Sequence, residues 1–316
     1  MERIALQQSS AGGNDQMSSK EDTTRTNKRR AILGSLALIL VCIIWGSSFT
    51  IGKVAMEEAH PMALIAVRFV IATVVLLLLS IPRLKKLNMK IIGSGLILAI
   101  PLYLAFYTQF AGLRLTSASN TGFITGMYVI FTPILSAIFL KKKPTILITL
   151  GILAATIGLA LLSLKSDFTL SSGDLLVLLC ALMYAVHIVL LNVFSPKMDG
   201  MLLTLTQMFW VSIIACIVGF RHLPEAVTYS NGTLLSIVFL GVGGSAFAYY
   251  VQTTAQKYTS PTSTSIIFQL EVVFAAIFAY IFLNEVMTTR QWVGAGSIFI
   301  GILLCQLNDV RSVKTE

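Results

Sequence analysis

One carboxylate stands apart in this sequence of 316 residues. Glu271 lies near the middle of an apolar stretch, 262–283, and no other charged residue is close to it along the chain. Insertion scales put the cost of an ionisable group at membrane depth at about 2.5–3.5 kcal/mol, so such groups usually face other helices or a water-filled cavity. Glu271 could therefore bind substrate or a proton. The alternative is a neutral acid that is hydrogen-bonded to a neighbouring helix.

A polar stripe runs along an earlier apolar stretch. Thr121, Thr125, Tyr128 and Thr132 follow one another at spacings of four, three and four residues, which places their side chains on one face of a helix. A polar face on a membrane helix should contact protein or water rather than lipid. The stripe either lines a cavity or forms hydrogen bonds between helices, as threonine commonly does.

Two pairs of side chains combine an aromatic ring with a polar group. Trp45 and Ser48 are one helical turn apart, and so are Tyr184 and His187. The two rings could stack on a substrate or pack in the core. His187 could titrate near neutral pH, or it could stay neutral and hydrogen-bonded. We expect these four side chains, together with Glu271 and Tyr128, to form a pseudo-symmetric ring around a central site.

Three further polar side chains lie inside apolar stretches. Gln109 and Gln252 could line a cavity or hold helices together. Arg68 lies about two turns into its helix. It could extend to the membrane interface, recognise an anion, or pair with Glu57 or Glu58.

Membrane-spanning helices must position all of these residues. The chain is 56% hydrophobic and 12% charged, whereas soluble domains are about 45–50% apolar and about 25% charged. A spanning helix needs about 20 mostly apolar residues. The runs are continuous rather than alternating, which excludes a β-barrel. Ten apolar stretches of the length that a spanning helix needs occur in the sequence, at 32–52, 61–81, 91–112, 118–140, 145–164, 174–193, 201–220, 232–254, 262–283 and 289–307.

The basic residues predict how these helices are oriented. With the N-terminus inside, 17 of the 23 Lys and Arg residues fall in inner segments. Because cytoplasmic loops carry an excess of Lys and Arg, this distribution predicts a multi-pass cell-membrane protein with both termini in the cytoplasm. The net charge of +9 is thereby explained by topology, and we expect no nucleic acid as a partner.

The chain also contains an internal repeat. The matched positions include Gln109 and Gln252, Gly151 and Gly294, and Gly158 and Gly301 at a shift of 143 residues, and Trp45 and Tyr184 at a shift of 139. Each repeat holds five helices, an odd number, so the second repeat enters the membrane from the opposite side. Inverted repeats are a recurrent plan of secondary transporters, with the substrate site near the midplane between them.

The predicted fold is therefore an all-α membrane protein with ten transmembrane helices arranged as two inverted five-helix repeats. The first repeat covers 31–165 and the second covers 170–309. A disordered cytoplasmic tail, 1–30, precedes them, and a cytoplasmic C-terminal tail, 310–316, follows. In this alignment Glu271 falls opposite Tyr128, so the two repeats differ at the position of the isolated acid.

Three groups of residues carry a resemblance to a known family. They are Trp45-Gly46-Ser47-Ser48-Phe49, then Gly112 through Asn120 followed by Tyr128 through Pro133, and Leu270-Glu271-Val272-Val273 followed by Phe282-Leu283-Asn284-Glu285. Together they resemble the EamA branch of the drug/metabolite transporter superfamily, over roughly residues 32–307. The sequence departs from that family at Val272, where Pro is frequent, and at Lys141-Lys142-Lys143, where an acid ends the fourth helix.

The resemblance implies a ten-helix carrier with a central cavity between its halves, in a family many of whose members export amino acids or other small metabolites. We expect a secondary transporter that exports a small metabolite, such as an amino acid or a related compound, by alternating access. Its partners would be this small-molecule substrate and the lipid bilayer. Proton coupling through Glu271 and a homodimer are open alternatives.

Signatures of other functions are missing from the sequence. The four cysteines lie in apolar runs and form no C-x-x-C pair, so no metal site is expected. The P-loop and the motifs G-x-S-x-G and H-E-x-x-H are absent, and we expect neither an enzyme nor a cofactor. Two alternatives stay open. An intramembrane enzyme would need paired catalytic residues at one depth, and a non-transporting scaffold or receptor would have a dry interface between its repeats.

Overall fold

The structure is a computed structural model that describes residues 29–48, 51–52, 54–116, 118–141, 143–163, 171–283 and 288–312. Most of the expected N-terminal tail and the last four residues lie outside the described residues. The motif residues Asn284 and Glu285 lie outside them too.

Ten helices follow one another in the described ranges. They are α1 (Arg29–Ser48), α2 (Pro61–Ser80), α3 (Met89–Leu113), α4 (Ala118–Gly126 and Tyr128–Phe139), α5 (Ile146–Ser163), α6 (Ser172–Phe194), α7 (Gly200–Gly219), α8 (Asn231–Ala255), α9 (Pro261–Phe268 and Leu270–Leu283) and α10 (Thr289–Ser312). Short 3-10 segments, Ile81–Lys86, Ser195–Lys197 and Phe220–Thr228, join some of them.

Nine of these helices are long and apolar enough to cross a membrane. The tenth, α5, is a shorter apolar helix over Ile146–Leu162. The residues that the structure describes contain no strand. The predicted all-α membrane fold is confirmed.

The second repeat begins at a well-formed helix start. The Ser171 hydroxyl accepts from the backbone N–H of Asp174 at 3.2 Å, and the Asp174 carboxylate accepts from the N–H of Ser171 at 2.6 Å. This reciprocal pair satisfies two N–H groups that have no partner within the helix. The hydroxyl of Thr116, just beyond α3, also donates to Asp174 at 2.6 Å. The end of α3 and the start of α6 are thereby held together.

The last helices of the two repeats, α5 and α10, meet at four glycines. A Cβ atom on Gly151 would lie 2.9 Å from the carbonyl oxygen of Gly301, and one on Gly158 would lie 2.5 Å from that of Gly294. Small residues let helices approach closely in membranes. The repeat relates Gly151 to Gly294 and Gly158 to Gly301, so it exchanges the two contacts. The halves therefore pack about a pseudo-twofold axis.

A second pair of contacts obeys the same symmetry. A Cβ on either Gly112 of α3 or Gly173 of α6 would lie 2.8 Å from the carbonyl oxygen of the other. The equivalent contact joins Gly34 of α1 to the carbonyl oxygen of Ala255 of α8, at 3.3 Å. The first helix of each repeat thus packs on the third helix of the other, and the two inverted repeats form one interlocked bundle.

The two ends of the bundle are chemically different. At one end, Arg83 contacts Asp199 at 3.4 Å and Lys257 Nζ donates to the carbonyl oxygen of Met198 at 3.0 Å. These contacts bring together the loops that follow α2, α6 and α8. Along the chain, loops at this end alternate with loops at the opposite end, as expected for successive membrane crossings. This end collects many of the Lys and Arg residues in the sequence, and we call it the basic end.

The opposite end is held by a carboxylate and two imidazoles. The Glu58 carboxylate accepts from the backbone N–H of Ser230 at 2.9 Å. This hydrogen bond lowers the pKa of Glu58. The rings of His60 and His222 stack with centroids 3.5 Å apart. The loop after α1 is thereby joined to the segment between α7 and α8.

Candidate functional site

Two helix breaks face each other between the repeats. α4 is interrupted at Met127 and α9 at Gln269, near equivalent positions in the two repeats. At the first break, Ile130 N donates to the carbonyl oxygen of Met127 rather than to that of Gly126. The carbonyl of Gly126 is thereby free to accept from Nε2 of Gln269, at 3.0 Å. Discontinuous helices with backbone groups directed inward are a common way to build a transport site.

Glu271 is the second residue after the break in α9. Its side chain is partly accessible, although surrounded by other helices. The carboxylate makes no hydrogen bond to any residue that the structure describes. It lies within electrostatic range of the guanidinium of Arg68 and of the side chains of Tyr128, Tyr184 and Tyr249. The isolated acid of the sequence therefore lies inside the bundle, near Arg68 and three tyrosines.

α1 reaches this region through a glycine. A Cβ on Gly46 would lie 2.6 Å from Cβ of Phe274 and 3.0 Å from the carbonyl oxygen of Glu271. Such distances are shorter than side chains tolerate, so only glycine allows this approach. The close packing places Trp45, the preceding residue, beside the break in α9.

Arg68 is buried, with 7% of its surface exposed. Its Nε donates to the hydroxyl of Ser245 at 2.6 Å, and Nη2 donates to the carbonyl oxygen of Gly244 at 3.0 Å. The guanidinium also lies over the ring of Phe106, 5.1 Å from its centroid. Arg68 therefore neither extends to the membrane interface nor pairs with Glu57 or Glu58. Of the three alternatives that its sequence position allowed, recognition of an anion is the one this geometry leaves open.

The partners of Arg68 belong to a π-helical turn. α8 changes from an α-helix to a π-helix over Val242–Phe247. The wider turn presents the Gly244 carbonyl sideways, where it accepts from both Arg68 and Nε1 of Trp45, the latter at 2.9 Å. A Cβ on Gly244 would come within 3.1 Å of the Ser48 hydroxyl. Single π-helical turns inside α-helices occur frequently at functional sites.

Trp45 and Tyr184 occupy equivalent positions and have equivalent neighbours. The ring of Trp45 lies 5.3 Å from that of Tyr249, and the ring of Tyr184 lies 5.9 Å from that of Phe106. The repeat relates Tyr249 to Phe106, so the two pairs are symmetric. Tyr184 also contacts Tyr128, at 6.4 Å between centroids. These ring contacts join side chains of α1, α3, α4, α6 and α8 near Arg68 and Glu271.

His187 lies at the edge of this group and is almost fully buried. Its Nε2 is 3.0 Å from Oε1 of Gln207, whose Nε2 donates to the hydroxyl of Thr253 at 3.3 Å. The imidazole ring of His187 also contacts the ring of Tyr249, with the two centroids 6.0 Å apart. The hydroxyl of Ser48, the equivalent residue, donates to the carbonyl oxygen of Ile44 in its own helix, at 2.7 Å.

The remaining candidates are divided between the site and the packing around it. Gln109 Nε2 donates to the hydroxyl of Thr125 at 3.3 Å, which joins α3 to α4. Thr121 and Thr125 are buried. Gln252 is also buried and donates to Gln256 at 2.9 Å. That bond lies between α8 and the turn after it.

Several residues of the site were not among the sequence candidates. Tyr249, Gly244 and Ser245 lie on α8, which carries only a short polar pattern in the sequence, and the π-helical turn has no signal there beyond its glycines. Arg68 did have a signal. Its repeat partner Gln207 is likewise a polar residue inside a spanning helix, and both turn out to be buried and hydrogen-bonded.

Comparisons with known proteins agree with this architecture. The model of the EamA-like transporter family matches residues 32–164 and 171–306. An uncharacterised transporter of Archaeoglobus fulgidus is 31% identical over 279 residues, which cover 88% of this chain and 87% of that protein. The uncharacterised transporter YcxC of Bacillus subtilis is 26% identical over 299 residues, 88% of this chain and 94% of that protein.

A solved crystal structure has the same fold. It superposes with a TM-score of 0.75 at 15% identity, over 88% of this chain and 98% of the other. The relatives are named transporters, so the alternatives of an intramembrane enzyme and of a non-transporting scaffold or receptor are set aside. The chain is a multi-pass membrane transporter that belongs to the EamA-like transporter family of the drug/metabolite transporter superfamily.

Proposed function

We propose that this transporter is a secondary carrier that exports a small amphoteric metabolite, such as an amino acid. The observation that carries the proposal is the placement of Arg68 and Glu271 at one internal site. Both side chains are in the described part of the chain, they interact electrostatically, and they form no direct ion pair. A substrate with an ammonium group and a carboxylate could bridge them.

The aromatic rings supply the rest of the proposed site. Trp45, Tyr184 and Tyr249 have large apolar faces and a polar atom at one edge. Rings of this kind attract an ammonium group through their π faces and pack against a hydrocarbon side chain. Tyr128 lies within electrostatic reach of Glu271. We propose that these four rings and the two charged groups contact the substrate, and that Ser48, His187, Gln109, Thr121 and Thr125 position them.

The symmetry of the bundle supports alternating access as the mechanism. Two packed halves related by a pseudo-twofold axis have two arrangements of similar energy, one open to each side. The proposed orientation, with both termini in the cytoplasm of a cell-membrane protein, follows from the distribution of basic residues. With that orientation the basic end faces the cytoplasm.

Glu271 is also our candidate for proton coupling. A carboxylate without a hydrogen-bonding partner among the described residues can change its protonation state when substrate arrives or leaves. Binding of substrate and proton to the same group would couple their movements in opposite directions. An exporter of this kind would be driven by the proton gradient.

The decisive experiment uses purified protein in proteoliposomes. Counterflow should be measured with the common amino acids, with a quaternary amine that has no carboxylate, and with a carboxylate that has no amine. Untargeted metabolite comparison of cells with and without the protein would narrow the choice. We expect exchange of an amphoteric compound, loss of exchange in Glu271→Gln, and normal exchange in the control Glu58→Gln.

Three results would count against parts of the proposal. Transport of the quaternary amine alone, unaffected by Arg68→Lys, would exclude an amphoteric substrate. Full transport by Glu271→Gln with unchanged pH dependence would exclude both substrate binding and proton coupling at this carboxylate. Absence of exchange with every compound, in protein that is folded and monodisperse, would exclude a carrier of this substrate class.

A further inference from the structure

A groove opens on the side of the bundle, outside the central site. It has a volume of about 310 Å³ and runs between α1 and the C-terminal half of α8. Its walls are almost entirely apolar and include Leu33, Ala37 and Val251. The volume is at the lower end of the range of about 300–1,000 Å³ that small-molecule sites occupy, so the groove can enclose a segment of a longer molecule.

The groove has a cationic mouth at the basic end. Arg30 lines it, and its guanidinium carbon lies 5.8 Å from the centroid of the Tyr258 ring. Arg30 is exposed and makes no ion pair with any residue that the structure describes. Of the described residues that line the groove, none is acidic. Arg29 is also exposed and extends the positive charge along the chain.

The long side of the groove is open to the surroundings of the bundle. The side chain of Leu33 is 54% exposed and that of Tyr258 is 44% exposed. α1 cannot close the gap further, because Gly34 already approaches the backbone of α8 at Ala255. An apolar channel of this kind lies among acyl chains in a bilayer, and its charged end lies at the level of the headgroups.

We propose that this groove binds an anionic phospholipid. One acyl chain would lie along Leu33, Ala37 and Val251, and the headgroup phosphate would bind the guanidinium of Arg30. Basic pockets between transmembrane helices bind anionic headgroups, and Arg suits a phosphate because its donors are arranged in a fork. Tyr258 holds the guanidinium at the mouth through its ring. The proposal is independent of the substrate and of the transport mechanism.

The test is native mass spectrometry of the full chain, released from detergent with added lipid. Phosphatidylglycerol and phosphatidylcholine with identical acyl chains serve as the two probes. We expect one retained phosphatidylglycerol per chain and little retained phosphatidylcholine. Arg30→Gln should weaken retention about fivefold, which corresponds to about 1 kcal/mol for one basic residue near the surface. Arg29→Gln is the matched control and should weaken it much less.

Further variants separate the headgroup from the acyl chain. Arg30→Lys should keep much of the retention, because it keeps the charge. Leu33→Trp should reduce retention of lipid by filling the groove at an exposed position, and inorganic phosphate should not displace the lipid. Equal retention of the two phospholipids, or equal effects of Arg29→Gln and Arg30→Gln, would overturn the proposal. So would a groove occupied by a second copy, seen as a dimer that excludes lipid, or retention that appears only after removal of residues 1–28.

Discussion

The side-chain amide of Gln269 donates to the carbonyl oxygen of Gly126, and the two residues occupy the same position in the two repeats, 143 residues apart. Gln269 marks the break in α9, and Gly126 is the last residue before the break in α4. The hydrogen bond therefore joins the two discontinuities directly across the pseudo-twofold axis. The acceptor is a backbone carbonyl that would bond to the N–H of Ile130 if α4 were unbroken.

Replacement of Gln269 by Leu should destabilise the protein. The carbonyl of Gly126 would lose its partner in a buried place, and such a loss costs about 1–3 kcal/mol. We expect a lower midpoint of thermal unfolding in detergent. Thr149→Val is a suitable control, because that exposed hydroxyl bonds only to the carbonyl of Thr145, four residues earlier, at 3.0 Å. An unchanged midpoint for Gln269→Leu would show that the breaks hold together without this bond.

Gly158→Ala should disturb the contact between α5 and α10. The added methyl group would lie 2.5 Å from the carbonyl oxygen of Gly294 and 2.8 Å from the backbone N of Ile298, and neither can move without the helix. Gly296→Ala on α10 is the matched control, because nothing lies within 4 Å of its Cβ position. There the change should be neutral or stabilising by up to about 1 kcal/mol, since alanine favours a helix. Equal midpoints of unfolding would contradict the close packing.

Arg68→Lys should abolish most transport while the protein stays folded. A lysine cannot bond Ser245 and Gly244 together and also lie over the Phe106 ring, because it has a single compact ammonium group. We expect at least a tenfold loss of exchange rate in proteoliposomes. Arg83→Lys is the control, since Arg83 is 47% exposed and forms an ion pair of a kind that contributes about 0–1 kcal/mol. Comparable losses in both variants would mean that Arg68 has no special role.

Trp45→Phe should weaken the attachment of α1 to the π-helical turn. The variant keeps an aromatic ring beside Phe268 and Tyr249 but loses the Nε1 donor to Gly244. We expect a loss of about 1 kcal/mol in stability, typical of one net hydrogen bond, and a higher KM for substrate. Tyr184→Phe at the equivalent position should have a smaller effect on stability. A larger loss of stability for Tyr184→Phe than for Trp45→Phe would indicate that Trp45 stabilises the protein through packing and not through its hydrogen bond to Gly244.

The hydrogen bond at Glu58 predicts a dependence of stability on pH. The N–H of Ser230 lowers the pKa of Glu58 in the folded protein. Stabilisation by this carboxylate should therefore be present at neutral pH and be lost as the pH falls through the lowered pKa. The difference in unfolding midpoint between wild type and Glu58→Gln should shrink on acidification. A difference that stays constant on acidification would contradict this role of the Glu58 carboxylate.

The general architecture could be predicted from the sequence because it depends on patterns that repeat over long distances. Apolar windows and matched glycines such as Gly158 and Gly301 are visible without coordinates. The breaks at Met127 and Gln269 could not be predicted, because neither residue is a proline or a glycine, the residues that most often mark a break in a helix. The partners of Arg68 also depend on tertiary structure. They come from a π-helical turn nearly 180 residues away, and no local pattern identifies such a turn.

The glycine contacts between α5 and α10 have the form of an isologous interface. Residue 151 meets 301 and residue 158 meets 294, as the same patch would meet itself in a twofold dimer of five-helix chains. In separate chains such an interface would dissociate on dilution, and each chain would have to insert in two opposite orientations. Joined in one polypeptide, the two patches are held at a high effective concentration. Each polypeptide contains one copy of each half, so the two halves need not have the same sequence. Each half can therefore have its own charged residue, Arg68 in the first and Glu271 in the second.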